Sequence, residues 1–149
     1  MGMLATFTPI PAGCVDDVVE DPSLIERDYA DVAVDCDKAW QGIHFLLTGS
    51  DWEGDPPLSL MIMGGRELTD DGVRLLSSDE VQQVAATLPM EEVLRARFDP
   101  QRMNQLDIYP GIWSEGDAAC DYLLEHYGPL ADLFRDAAGR GDAIAISIA

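Results

Sequence analysis

The sequence predicts a single α+β domain: a small mixed or antiparallel sheet that includes both chain ends, packed by roughly five to seven helices around a central helix near residues 36–48. Three observations predict it. The 149 residues suit one domain (residues 1–149) and are enough to bury a core without disulfide or metal staples. The closing segment Ala143–Ala149 alternates Ile144, Ile146 and Ile148 with Ala145 and Ser147, the pattern of a strand whose second face is small enough for close packing. Between the two ends, apolar residues recur at helical spacing in segments punctuated by Pro and Gly.

At the N-terminal end, Met1–Thr8 carries Leu4, Thr6 and Phe7 and reads as a first strand, ended by Pro9 and Pro11. Ala12–Glu20 places Val15, Val18 and Val19 at helical spacing, and Asp21-Pro22 opens a further turn through Glu26. The central helix is expected from Cys36 to Thr48, with Asp35 as its N-cap and Gly49 as its stop. At about 100° per residue, Cys36, Ala39, Trp40, Ile43, Leu46 and Leu47 share one face. Phe45 points the opposite way, which predicts a helix covered from both sides.

Ser50–Pro57 is a loop by every signal. Asp51, Glu53 and Asp55 alternate there, but a calcium loop needs its glycine and its closing glutamate elsewhere. Leu58–Met63 reads as a buried strand ended by Gly64-Gly65, which with Arg66 matches no phosphate-loop pattern, and Val73–Leu76 as another strand. Ser77 and Glu80 form a capping box for a helix that stops at Pro89. Met90–Phe98 repeats the helical pattern, and Asp99-Pro100 caps the next helix, with Met103 and Leu106 inward. Pro110 and Gly111 are expected to make Tyr109–Ile112 a type II turn. Two helices, Ala118–His126 and Leu130–Arg140, are expected on either side of Gly128-Pro129, with His126 near a helix end.

Charge is the unusual part of the composition. Nine Lys and Arg against 28 Asp and Glu leave a formal charge of −19. That field repels nucleic-acid phosphates and anionic membranes and attracts a basic partner or a cation, while solubility or adaptation to a salty cytoplasm is the simpler explanation of the charge. Neither a signal peptide nor an apolar run long enough to span a bilayer is present, and three separated cysteines without a CxxC point to a reducing compartment, so the expected location is cytoplasmic. Met1-Gly2 with Thr6 fits the short myristoylation pattern, but without the basic patch that would hold one acyl chain on a membrane. No cofactor motif is found, and no His spacing suits a metal.

On the central helix, Asp37, Gln41, His44 and Thr48 fall in one polar row. His44 is the candidate catalytic residue, with Asp37 or Asp107 as the carboxylate that would set its tautomer. The competing reading is a buried histidine satisfied by a backbone carbonyl or a carboxylate. Trp40, Gln41, Thr48, Asn104, Tyr109 and Trp113 are the candidate ligand-binding residues, because aromatics beside a polar row build small pockets. Of the thiols that could form a Cys–His pair, Cys36 lies two helical turns before His44, too far for direct contact, which leaves Cys120, and no Ser lies in a GxSxG elbow.

Met1-Gly2-Met3, the block Asp35-x-Asp37-Lys38-x-Trp40-x-x-Ile43-His44-Phe45-x-Leu47-Thr48-Gly49, Pro57-Leu58-Ser59 and Leu106-x-Ile108-Tyr109-Pro110-Gly111 occur in a fixed order. Together they resemble the YfbM-like bacterial family, domain of unknown function 1877, nearly end to end. The resemblance implies a cytoplasmic α+β domain without an established activity. Two functions stay open: a non-catalytic binding or protein-interaction domain suited to a basic partner, and a small-ligand-binding or hydrolase-like protein built around His44. The first is favoured, because no complete set of nucleophile, base and oxyanion donors can be assembled from these residues.

Overall fold

A computed structural model of the chain describes residues 2–149. In order, the elements are β1 (Ala5–Ile10), α1 (Val15–Glu20), α2 (Leu24–Tyr29), β2 (Val34–Asp35), α3 (Trp40–Thr48), α4 (Leu60–Met63), β3 (Arg66–Glu67), β4 (Arg74–Leu76), α5 (Ser78–Ala85), α6 (Glu91–Arg97), α7 (Pro100–Gln105), α8 (Asp117–Arg140) and β5 (Ala143–Ile148). The five strands form one antiparallel sheet in the order β2-β1-β5-β4-β3, so strands from both ends of the chain pair at its centre. Thr6 lies opposite Ser147 and Phe7 opposite Ile146. The α+β expectation is met, with an antiparallel sheet.

Strand alternation splits the interior in two. Phe7, Ile144 and Ile146 face the main core, where Phe7 meets Phe134 of α8 edge to face at 6.3 Å. Ile10, Leu75, Ala143 and Ala145 face the other way and form a smaller core with Val18. The short helices α1 and α2 cover this second core.

The central helix is shorter than its sequence pattern suggests. Val34–Asp35 pairs with β1, so these residues are strand, and the helix begins at Trp40. Asp35 does not cap it: its carboxylate accepts the Asp37 N–H at 2.6 Å, and Asp37 takes a left-handed conformation (φ 49°) in the turn that follows. The expected core face is buried, and so is Phe45, which makes α3 a helix covered on every side. Gly42 permits this. A Cβ at that position would come within 2.6 Å of Leu123 and 2.8 Å of Trp113, so α3 and α8 can approach only over a glycine. Gly49 closes the helix with φ 76°, and Arg97 donates to the Leu46 and Leu47 carbonyls at its end.

Four other expectations need correction. β1 continues through Pro9, which pairs only with Ile144; β2 does not reach that far, so the missing N–H falls where one side of the strand is unpartnered. Leu58–Met63 is not a strand. Leu60–Met63 makes one turn of helix, in keeping with the helix preference of Leu and Met, and Arg74 donates to the Ile62 carbonyl at 2.7 Å and to that of Gly64 at its end. The tight turn spans Ile108–Gly111 rather than Tyr109–Ile112: the Gly111 N–H donates to the Ile108 carbonyl at 3.0 Å, and Tyr109–Pro110 is cis. The two expected C-terminal helices are one 24-residue helix with Pro129 inside it. An interior proline costs roughly 3 kcal/mol. The unbroken buried stripe Leu123, Tyr127, Leu130, Phe134 and Ala137 offsets it by holding both halves against the core. His126 therefore sits mid-helix, away from any helix end.

Candidate functional site

The polar row of α3 is buried beneath the loop Ser50–Asp55 and spends its hydrogen bonds on it. His44 is fully buried, and its Nε2 lies 2.7 Å from the Glu53 carbonyl. A carbonyl can only accept, so Nε2 carries the proton and Nδ1 is the bare nitrogen. Nδ1 has no partner among the described residues, and burial holds the ring's pKa below its ordinary 6.5, against smaller upward effects of the Glu53 carbonyl and Asp51. One turn earlier, Gln41 donates from Nε2 to the Asp51 carbonyl at 3.3 Å and accepts the Tyr109 N–H at 2.8 Å. One turn later, the Thr48 hydroxyl donates to the His44 carbonyl at 2.9 Å and accepts the Ser50 N–H at 3.1 Å. Gly54 (φ 133°) lies so close over Thr48 that a Cβ would come within 2.6 Å of it. Three neighbouring side chains thus pin one loop, and Gln41 also ties in the Ile108–Gly111 turn.

Inside the loop, the Asp51 carboxylate accepts the Trp52 N–H at 2.8 Å, and Ser50 Oγ accepts the Glu53 N–H at 3.2 Å. The result is a fixed platform. Trp52 stands on it 58% exposed, its ring 6.0 Å from that of Trp40, which in turn lies 5.6 Å from Tyr109. Exposed carboxylates of Glu53 and Asp55 flank it, with Asp51 partly covered.

The remaining candidates are spread over several places. Trp40 is buried and donates from Nε1 to the Met3 carbonyl at 2.9 Å, while the Tyr109 hydroxyl accepts the Met3 N–H at 2.9 Å, so both hold the N-terminal segment. Trp113 is fully buried and donates to the Ile108 carbonyl at 2.7 Å. Asn104 is exposed and reaches Ser114 at 3.3 Å. Asp107 follows the C-cap Leu106 of α7 in left-handed conformation (φ 54°); its N–H donates to Asn104, and that of Ile108 donates to Met103, the two bonds of a Schellman motif. Asn104, Asp107 and Tyr109 line a shallow hollow of about 230 Å³.

Asp37 is not a partner of His44. Its carboxylate accepts the Tyr122 hydroxyl at 2.6 Å, and that hydroxyl accepts the Lys38 N–H at 3.0 Å. The Tyr122 bond holds the Asp37 carboxyl below the usual range, with help from the Lys38 backbone and from His126 and Lys38, while burial and then Asp37 push the Tyr122 phenol up. His126 packs edge-on against Tyr122 at 4.9 Å. Nothing in the local pattern announces the Asp37–Tyr122 pair, because its members lie 85 positions apart. Cys36 and Cys120 are poor nucleophiles. Burial, with Asp35, pushes the Cys36 thiol up to about 12, and burial raises Cys120 as well. Among the described residues, no group of three or more His, Cys, Asp or Glu side chains is placed to hold a metal ion, and no helix is long and apolar enough to cross a membrane.

Comparison with known proteins fits this picture of a fold without a recognised reaction. Residues 1–147 match the model of a domain of unknown function, DUF1877. Protein YfbM of Escherichia coli (strain K12) is 30% identical over 126 residues, 75% of each chain. The crystal structure of YfbM from Escherichia coli, described as a protein of unknown function, superposes with a TM-score of 0.76 at 24% identity, covering 99% of this chain and 100% of that one. The chain belongs to the DUF1877 family, the YfbM-like proteins.

Proposed function

We propose that this chain is a non-catalytic binding domain whose Ser50–Asp55 loop engages a basic segment of a protein partner. One observation carries the reading: Gln41, His44 and Thr48 are buried or half-buried and committed to holding a loop that presents Trp52, 58% exposed, among carboxylates. An indole face attracts Arg or Lys, and neighbouring carboxylates add charge-assisted hydrogen bonds. Fixing the loop beforehand lowers the ordering cost of binding. The net charge of −19 steers a basic partner toward it. The rival, a small-ligand or hydrolase-like site at His44, draws on the bare Nδ1, but that ring is covered by the loop it holds.

The test is calorimetric titration with a nona-arginine peptide. Binding should weaken as salt rises and weaken about fivefold in Trp52→Ala, the scale of one cation–π contact. Equal affinity in Trp52→Ala would reduce the interaction to general charge attraction and overturn the proposal.

A further inference from the structure

The second face of the sheet is only half covered. Beyond the small core under α1 and α2, a groove of about 530 Å³ crosses β1 and β5, within the usual range of small-ligand sites. Its floor holds Thr6, Thr8, Ala145 and Ser147; α2 contributes Glu26 to one side, and the β3–β4 hairpin contributes Asp71 to the other. The register sets Thr6 directly across from Ser147, with Thr8 one step along the same face. Three hydroxyls are thereby gathered on a rigid floor.

Thr8 is the telling residue. It is 3% exposed, and its side chain makes no hydrogen bond among the described residues. Yet its hydroxyl is not sealed in protein, since among the described residues His44 Nδ1 is the one fully buried side-chain polar atom without a partner. Its remaining opening is the groove it lines. A threonine with a buried body and an unspent hydroxyl needs a ligand or water there. Among the described residues no Lys or Arg lines the groove, and Arg27 turns to Asp28 at 3.4 Å. The charged side chains that line the groove, among the described residues, are Glu26 and Asp71, both negative.

We propose that this groove binds a small aliphatic polyamine. Each ammonium group is a donor without acceptor capacity, and the groove offers complementary acceptors: hydroxyl oxygens on the floor and carboxylates at both walls. The methylene stretches of such a ligand match the apolar floor at Ala145. Anionic and strongly acidic ligands are excluded by Glu26, Asp71 and the −19 field.

Spermidine titrated calorimetrically into the whole chain tests this. The expected result is saturable binding at one site, weakened about tenfold by Thr8→Val, which removes a hydroxyl bonded to a cation and leaves the charge unchanged. Ser147→Ala serves as the second neutral variant, and thermal melts identify which variants are folded. Non-saturating binding, or equal affinity in folded Thr8→Val and Ser147→Ala, would show attraction to net charge alone and overturn the site.

Discussion

On one side of the sheet, Phe7, Ile144 and Ile146 lie under α8 in a core that continues through Trp40, Trp113 and Phe134. On the other, the same strands line the groove with Thr6, Thr8, Ala145 and Ser147, and Ile10, Val18, Leu75, Ala143 and Ala145 make a smaller buried cluster. Strand alternation sends Phe7, Ile144 and Ile146 one way and the run Thr6, Thr8, Ala145 and Ser147 the other, where Ile10 and Leu75 are the large apolar side chains the strands contribute. Two helices of six residues each cover part of the second face, whereas a 24-residue helix crosses the first. The difference teaches that one face can hold the fold while the other is left open to carry a groove.

If that division is right, core truncations on the two faces should differ. Trp40→Ala should cost about 3–5 kcal/mol, as large aromatic truncations do. Val18→Ala, in the smaller core, should cost about 1.5–3 kcal/mol, close to the transfer term for one buried valine. Urea denaturation of both variants reads the contrast. Equal costs would mean that the second face supports the fold as fully as the first.

The main core was largely legible in the sequence because periodicity reports burial directly. The α3 core face, the capping box at Ser77 and Glu80, the Asp99-Pro100 cap and the Ala143–Ile148 strand all sit where their patterns place them. Local signals failed where tertiary contact overrode them. Gly128-Pro129 reads as a break, yet the apolar stripe keeps its phase across it, and that phase was the usable sign of a single helix. Asp35 has the residue type of an N-cap, but pairing of Val34–Asp35 with β1 claims it first. The candidate site divides in the same way. The α3 row Gln41, His44 and Thr48 was visible as a spacing, while its destination in the Ser50–Asp55 loop was not, because the key acceptors are the Asp51 and Glu53 carbonyls, which residue types do not reveal.

His44 also links this buried row to pH. Its pKa in the folded chain lies below 6.5, so above that pH the ring is neutral in both folded and unfolded chains. Below it, the unfolded chain takes up the proton first, and stability is lost as pH falls from 6.5 toward the lower folded value. The slope from this one group is at most about 1.4 kcal/mol per pH unit. Comparing urea midpoints of the parent and His44→Gln across pH 7.5 to 5 isolates it. The parent should lose stability faster than the variant, and parallel curves would place the ring in a solvated setting.

Binding by the His44→Ala variant tests most directly whether the buried row of α3 exists to shape the Trp52 loop. His44 cannot touch a partner, being fully buried, and among the described residues its ring makes one hydrogen bond, to Glu53. Losing that bond should destabilise the chain by about 1–3 kcal/mol and free the loop. Nona-arginine affinity, measured at pH 7.5 and below the variant's melting temperature, should then fall about fivefold, matching Trp52→Ala. A folded His44→Ala chain that binds the peptide as tightly as the parent would contradict the link between the row and the loop.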